Sequence, residues 1–256
     1  MKTDVVRLVI SGCCGRMGAR ITTLAHADSA FRITGALEHA GHACIGRDVG
    51  DCLGVGTLGV TITDQADAAL TAGAVLIEFT TPEATMAHLS VAQRLRKAMV
   101  IGTTGLTAAQ QAQIASAAKM IPVLYSPNMS VGVNLLFDLA GETAQRLGPE
   151  YQIEIIEAHH RGKKDAPSGT AKRLAEVVAT ARRQPVSQIP VHAVRAGDVV
   201  GDHTLFIAGP GERLELTHRA HSRDTFAQGA LRAARFLAGR RQPGLCSMRD
   251  VLVAPP

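Results

Sequence analysis

The stretch VVRLVISGCCGRMGARITTLA, residues 5–25, decides how the rest of the chain is read. A short β-branched run stops at Gly12, and from Arg16 onward the pattern is helical. Between the two, Gly12, Gly15 and Gly18 form G-x-x-G-x-x-G. Glycine at such a junction permits a tight turn, lets the backbone approach a pyrophosphate, and allows helix and strand to pack closely. The N-terminus of the helix that follows offers free N–H groups to an anion. The strict G-x-G-x-x-G spacing is not met, because Cys14 and Met17 stand where it needs glycine. For the motif alone, an ordinary βα turn remains the alternative.

Working outward, FRITGALE (31–38) is a second strand candidate, and Glu38 ends it 20 residues after Gly18. That is where a dinucleotide fold places a carboxylate for the ribose hydroxyls. Glu38 favours NADH, since a carboxylate repels a 2′-phosphate, while His39 and Arg16 leave NADPH open. Further short apolar runs are VLIEFT (75–80), AMVIGTT (98–104) and IPVLYS (121–126), with helical stretches at 82–96 and 107–119 between them. Short buried strands alternating with helices indicate a parallel α/β sheet. Ligands of such sheets bind at the carboxyl ends of the strands. The loops holding Gly102, Thr103 and Thr104, and Ser126, Pro127, Asn128 and Met129, are therefore candidates for the nicotinamide side, against a reading as plain turns.

The pattern changes near residue 130. A helix is predicted over Val131–Leu147, and then YQIEIIEAHH alternates over 152–157 like a strand with one wet face. A helix follows over 168–183, then three strands in VHAVRAG, HTLFIAG and ERLELTHRA, with Gly197-Asp198 and Pro210-Gly211 as turns. Strands without intervening helices indicate an open antiparallel or mixed sheet. A helix over 225–238 and an apolar tail over 248–253 close the chain. The fold class expected is α/β: a Rossmann-type parallel-sheet domain plus a smaller α+β domain with an open mixed sheet.

Composition narrows the function. The 256 residues are 46% hydrophobic, enough for a globular core, and only 3% aromatic with no Trp. Stacking platforms for single-stranded nucleic acid are thus not expected. The net charge of +5 is spread along the chain, with no basic block longer than Arg182-Arg183 or Arg240-Arg241, which suits a small anionic ligand. Five cysteines, an odd number with no CxxC, point away from a disulfide framework or zinc module and toward a reducing cytoplasm. The N-terminal apolar run is too short for a membrane span.

The most charged stretch is EAHHRGKKDAPSGTA, 157–171. Adjacent strand residues point to opposite faces, so His159 and His160 do not suit one metal ion, and the nearby lysines repel a cation. Gly162-Lys163 lacks the upstream glycine and following Ser/Thr of a P-loop. What remains is an anion site beside an acid–base group. Ser168 is a good N-cap, and the N–H groups of Gly169 and Thr170 could receive a carboxylate, with Lys163 and the histidines adding positive charge. A capped helix after a polar loop explains Ser168 alone, but not so many ionisable groups ahead of it.

The strings GCCGRMG, VIGTTG, NMSVGVN, EIIEAHHRGKKDAPSGTA and VRAGDVVGDHT follow one another as in the dihydrodipicolinate reductase family, over essentially the whole chain. The chain resembles that family, whose activity belongs to lysine and diaminopimelate biosynthesis. The resemblance implies His159 as general acid and Lys163 as second proton donor. It implies His160, Gly169 and Thr170 as substrate-carboxylate contacts, with Arg223 a hinge-side arginine near both ligands. Gly12, Cys13, Cys14, Gly15, Arg16 and Met17 match the dinucleotide-phosphate loop, Glu38 the adenosine-ribose contact, and Gly102–Thr104 and Ser126–Met129 the later cofactor loops. It further implies a dinucleotide-binding domain over 1–130 and 224–256, a substrate-binding and tetramerising domain over 131–223, and hinge closure between them. A cytoplasmic homotetramer with no metal, acting on a small dicarboxylate, is the expected form. His39 departs from the arginine many members carry to hold a 2′-phosphate, so NADH is the expected cofactor, with NADPH second. The region 182–191 is also shorter than in many members.

Two rivals stand beside this reading. One is another two-domain Rossmann oxidoreductase, such as a homoserine- or semialdehyde-type dehydrogenase. The acylating kind needs a nucleophilic cysteine in the second half, where the chain has Cys246 near its tail. The other is a protein that senses nucleotides without catalysis.

Overall fold

The computed structural model describes residues 5–240 and 242–254. Residues 1–4 and 255–256, at the ends of the expected first domain, and Arg241 of the basic pair lie outside the described residues.

The first half alternates strands and helices. In order come β1 (Val6–Ser11), α1 (Arg16–Ala27), β2 (Phe31–Leu37), α2 (Val49–Leu53), β3 (Ile62–Thr63), α3 (Ala66–Ala72), β4 (Val75–Glu78), α4 (Pro82–Arg94), β5 (Ala98–Ile101), α5 (Ala108–Ala117) and β6 (Pro122–Tyr125). Helix starts follow from side-chain chemistry. Thr81 caps α4 ahead of Pro82, whose fixed φ suits a first turn, and Thr107 with Gln110 forms a capping box on α5. These strands and β11 (Gly244–Cys246) form one all-parallel sheet in the order β11-β6-β5-β4-β1-β2-β3. Its central strands β4 and β5 are buried at every position, as expected where helices cover both faces. The α3, α4 and α5 side packs Leu70, Leu89 and Ile114 against Val9, Met99 and Ile101.

The second half begins with α6 (Val131–Leu147), capped by Ser130. It continues with β7 (Gln152–His159), α7 (Gly169–Arg182), a one-turn 3₁₀ helix, β8 (Val191–Arg195), β9 (Gly201–Gly209) and β10 (Glu212–Ala220). The sheet order is β10-β9-β7-β8, with β7–β8 parallel and the other pairs antiparallel, a mixed sheet. Helices α6 and α7 cover one face, where Leu136, Leu174 and Val178 meet Ile153, Ile155, Leu205 and Ile207. The chain then forms α8 (Asp224–Ala238), β11 and α9 (Met248–Val253). Two compact units result: residues up to Met129 with those from Phe226 onward, and Ser130–Thr225.

The expected apolar tail is instead a helix. Ser247 and Asp250 make a capping box, and Met248 and Val251 turn inward on α9. The strand β11 was not anticipated either, because three residues are too few for an alternating pattern. No helix of the described residues is long and apolar enough to cross a membrane.

Candidate active site

Strand β7 alternates with its inward face occupied by Ile153, Ile155, Glu157 and His159. The first two feed the core. The last two put a carboxylate and an imidazole at the end of the same buried face, two residues apart as strand geometry requires. Pairing adds the rest. Arg195 of β8 lies opposite His159, and His203 of β9 lies opposite Glu157.

Glu157, wholly enclosed, is the centre of this group. Its Oε2 meets His159 Nδ1 at 2.5 Å. Arg195 donates to both carboxylate oxygens, Nη1 to Oε2 at 2.9 Å and Nη2 to Oε1 at 2.8 Å. The Ser168 N–H donates to Oε1 at 3.0 Å. Burial alone would raise the Glu157 carboxyl, but Arg195, His159 and the Ser168 amide overcome it and hold it below the usual carboxylate range. Burial also lowers His159, against the pull of Glu157, and Lys163 and Arg195 add to the lowering. His203, whose ring lies edge-on to His159 at 5.2 Å, is pushed down to about 4, chiefly by burial. Burial thus favours the neutral form of both imidazoles at pH 7. With Nδ1 committed to Glu157, the Nε2 of His159 is the nitrogen left for chemistry. Gly201 keeps it clear, since a Cβ there would lie 3.1 Å from Nε2.

Around this group lie the other residues singled out in 157–171. Lys163 pairs with Asp165 at 2.8 Å, and its N–H closes a turn on the His160 carbonyl at 3.1 Å. Lys163 lowers Asp165 by that bond. His160 is half-buried and Lys164 is exposed. Ser168 accepts from the Ala171 N–H and so caps α7, and its hydroxyl also meets His203 Nε2 at 3.2 Å. Gly169, the first residue of α7, is exposed, and a Cβ there would meet nothing within 4 Å. Thr170 follows it in the same first turn. Arg223 is exposed in the bend before α8, and no hydrogen bond or ion pair among the described residues ties it to the His159 group.

In the other unit the glycine loop has the geometry of a cradle. Gly12 takes a left-handed φ of +65°, and a Cβ there would sit 2.9 Å from the Thr80 side chain and 3.3 Å from the Phe79 carbonyl. A Cβ at Gly18 would lie 2.0 Å from the Gly12 carbonyl, so α1 can approach β1 this closely only with glycine. Gly15 caps α1, which has no acidic residue in its first turn. Glu38 follows β2 and binds the loop back: its Oε2 accepts from the Cys14 N–H at 3.1 Å and its Oε1 from the His39 N–H at 3.0 Å. Arg16 and His39 are exposed and Met17 half-buried. His39 Nδ1 lies 3.0 Å from the Ala40 carbonyl, with its ring edge-on to His42. The residues fit a dinucleotide, because the loop can pack this tightly against β1, α1 and the Phe79–Thr80 segment only with glycine, leaving its backbone at the start of α1.

The later loops divide in what they offer. Gly102 leaves room for the Phe79 ring, which a Cβ would meet at 2.3 Å. Thr103 is buried with its hydroxyl 2.8 Å from that of Thr85, whereas Thr104 is exposed. Ser126 bonds the Asn128 carbonyl at 2.7 Å, Pro127 is exposed, and Met129 is buried against Gly229. Cys13 is likewise enclosed, with burial pushing its thiol up. Cys13, Thr103 and Met129 are thus buried and offer no side chain to a ligand.

Glu157, Arg195 and His203 were absent from the sequence reading. Glu157 was legible in principle, standing two residues before His159 on one strand. Arg195 and His203 depend on strand pairing, which no local pattern encodes. A second hidden group braces the glycine loop. Buried Glu78 pairs with His88 at 2.7 Å, Ser11 lies 3.2 Å from the same His88 nitrogen, and the Thr80 hydroxyl bonds Glu78. Cys246 is enclosed on β11 with its thiol pushed up by burial, so it does not serve as the nucleophile of a semialdehyde-type enzyme.

Comparison with known proteins gives one consistent family. The family model described as dihydrodipicolinate reductase, N-terminus, matches residues 6–129, and its C-terminal counterpart matches 132–252. The 4-hydroxy-tetrahydrodipicolinate reductase of Thiobacillus denitrificans is 49% identical over 96% of this chain and 98% of its own. That of Magnetococcus marinus is 45% identical with the same coverage. Among solved structures, the dipicolinate-bound dihydrodipicolinate reductase of Paenisporosarcina sp. TG-14 superposes with a TM-score of 0.81 at 23% identity, covering 95% of this chain and 97% of that one.

Proposed function

The chain belongs to the dihydrodipicolinate reductase family, and from that premise we propose that it reduces (hydroxy-)dihydrodipicolinate to tetrahydrodipicolinate in lysine and diaminopimelate biosynthesis. It is an NAD(P)H-dependent oxidoreductase, and the bound dinucleotide supplies the hydride. The unit that ends at Met129 and resumes at Phe226 is the dinucleotide-binding domain, and Ser130–Thr225 binds substrate.

The observation that carries the reading is the His159 site: an imidazole fixed through Nδ1 by a buried carboxylate, with Nε2 kept clear, beside a lysine and a capped helix start. Hydride addition to a conjugated imine leaves negative charge that needs a proton. Lys163 holds one on Nζ, and His159 gains one on Nε2 when a dianionic substrate enters. In the free site, Arg195 cancels the charge of Glu157 and burial keeps His159 neutral. Two substrate carboxylates reverse that balance, and Glu157 then stabilises the imidazolium. The first-turn N–H of Gly169, with Thr170, His160 and the exposed Arg223, receives the carboxylates.

On the dinucleotide side, the residues from Gly12 to Met17 hold the pyrophosphate at the start of α1, and Glu38 takes the ribose hydroxyls. Gly102, Thr104 and the 126–129 turn line the nicotinamide side. Glu38 repels a 2′-phosphate, and His39 brings no guanidinium to compensate, so NADH is preferred over NADPH. The protein works in the cytoplasm, which suits its five free cysteines. It assembles as a homotetramer through the uncovered face of the second sheet, where Ile156 and Val194 are exposed beside Phe206.

The test is oxidation of NADH and NADPH by the purified protein with enzymatically generated substrate. Both should be consumed, with kcat/KM favouring NADH by about tenfold, the equivalent of ~1.4 kcal/mol. NADH binding without oxidation on adding the cyclic imine would point to nucleotide sensing instead.

A further inference from the structure

Four of the five cysteines lie near the glycine loop, although the sequence scatters them. Cys14 stands in the loop itself, His42 and Cys44 follow β2, and Cys52 lies on α2. A ligand atom of Cys14, one of His42 and one of Cys44 all fall within 4.8 Å of one another, and all three residues are half-buried. A tetrahedral zinc site, with Zn–S near 2.3 Å and Zn–N near 2.0 Å, holds its ligand atoms roughly 3.5–4 Å apart. The three groups need only move inward by well under about 1 Å each to meet that geometry. The Cys44 N–H donates to His42 Nδ1 at 3.2 Å and orients the ring within the loop. The Cys44 thiol acts on that of Cys52, which stands beside it as a further sulfur. Glu38 and Asp51 lend the thiols negative surroundings, with Arg47 opposing at Cys52.

Cys13, Cys14 and Glu38 form a second group at the same spacing. It is the poorer one, because Cys13 is wholly enclosed and both Glu38 oxygens already accept backbone N–H bonds. A disulfide reading fares worse as well. Burial pushes Cys14 up to about 11, leaving little thiolate to attack an oxidant at neutral pH. A metal ion removes that proton on ligation.

We propose that Cys14, His42 and Cys44 bind one thiophilic ion of the zinc class, and that its occupancy antagonises the dinucleotide. Thiolate and imidazole ligands select such an ion over magnesium or calcium. The antagonism rests on the dinucleotide reading of the glycine loop, since drawing Cys14 toward Cys44 strains the N–H bond that joins the loop to Glu38. The binding itself does not depend on that reading.

The experiment titrates reduced, metal-stripped full-length protein with Zn²⁺ against a chromophoric chelator, with and without NADH, and repeats the titration with Co²⁺ to look for thiolate charge-transfer absorption. Wild type should bind one ion per chain and show that absorption. Cys44→Ser and His42→Gln should each weaken binding by at least about tenfold while keeping metal-free turnover. Zn²⁺ should raise the KM for NADH in wild type but not in Cys44→Ser. No stoichiometric binding, or equal binding by both variants, overturns the site. Binding that both variants lose but NADH leaves untouched keeps the site and overturns the antagonism, whereas failure of the metal-free protein to bind NADH would overturn the dinucleotide reading instead.

Discussion

Arg195→Met would leave the enclosed Glu157 carboxylate without its bidentate partner. Breaking a buried ion pair by removing one partner costs about 3–5 kcal/mol. Arg195 keeps some solvent contact, so the loss in urea unfolding at pH 7 should fall at the lower end, about 3 kcal/mol. The Glu157 pKa lies below its ordinary value, so its stabilising contribution is present above the ordinary carboxylate range and lost as pH falls through the folded value. The gap between wild type and Arg195→Met should therefore shrink in acid. Removing Arg195 also lifts the opposition to His159 protonation, and because His159 acts in its protonated form, the alkaline limb of the kcat profile should move to higher pH.

His203 gives a second pH signature of the same sign, from an imidazole buried neutral rather than a carboxylate buried charged. It is neutral in the fold down to about pH 4, while the unfolded chain takes up its proton near pH 6.5. Between those values the unfolded state binds more protons, so stability falls as pH falls, by about 3 kcal/mol at ~1.4 kcal/mol per unit. His203→Gln should flatten that part of the stability–pH curve, measured by urea unfolding at roughly pH 6.5, 5.5 and 4.5, in one-unit steps. An unchanged slope would mean His203 is charged in the fold.

At the scale of elements, the proposed ligand sites rest on the starts of α1 and α7. Gly18→Ala places a methyl 2.0 Å from the Gly12 carbonyl, a backbone atom that cannot swing aside. The loop must shift, and calorimetry should show NADH binding weakened by at least about tenfold, with a stability loss of about 1–3 kcal/mol. Ser168→Ala removes the cap on Ala171 and the His203 contact, costing about 1–2 kcal/mol. It should raise the KM for the dicarboxylate with little change in NADH affinity.

These elements were the most legible part of the chain. Glycine spacing marks the start of α1, and Ser168 that of α7. Apart from the short β3 and β11, the strands of both sheets show as apolar runs or alternation. The element α9 was read as a tail because its apolar residues are few and its capping box uses Asp250 rather than Glu. The partners of His159 stayed hidden for a different reason. Arg195 and His203 reach it across strand pairs, β7–β8 and β7–β9, whose register is fixed by the three-dimensional sheet. The cysteine cluster was hidden likewise, since Cys14 and Cys44 meet only when the loop after β2 folds over the glycine turn.

At the scale of the whole molecule, α6 and α7 cover one face of the second sheet, and among the described residues of its own unit no helix covers the other. Ile156 and Val194 stand on the uncovered face with Phe206, over which the Arg213 guanidinium stacks at 5.0 Å. If this face joins subunits, Ile156→Glu should convert the tetramer to smaller species in light scattering after size exclusion, while NADH binding persists. A tetramer unaffected by that change would move the interface elsewhere.

The chain leaves its parallel sheet after β6, builds a separate mixed sheet, and returns to add β11 beside β6. In the proposed function, hydride donation falls to one unit and proton delivery to the other. The most direct test is to measure kcat and NADH affinity together in His159→Gln and Lys163→Ala. The account predicts that kcat falls by at least about a hundredfold in each, with the NADH Kd within about twofold of wild type. Unchanged turnover in both variants would contradict it.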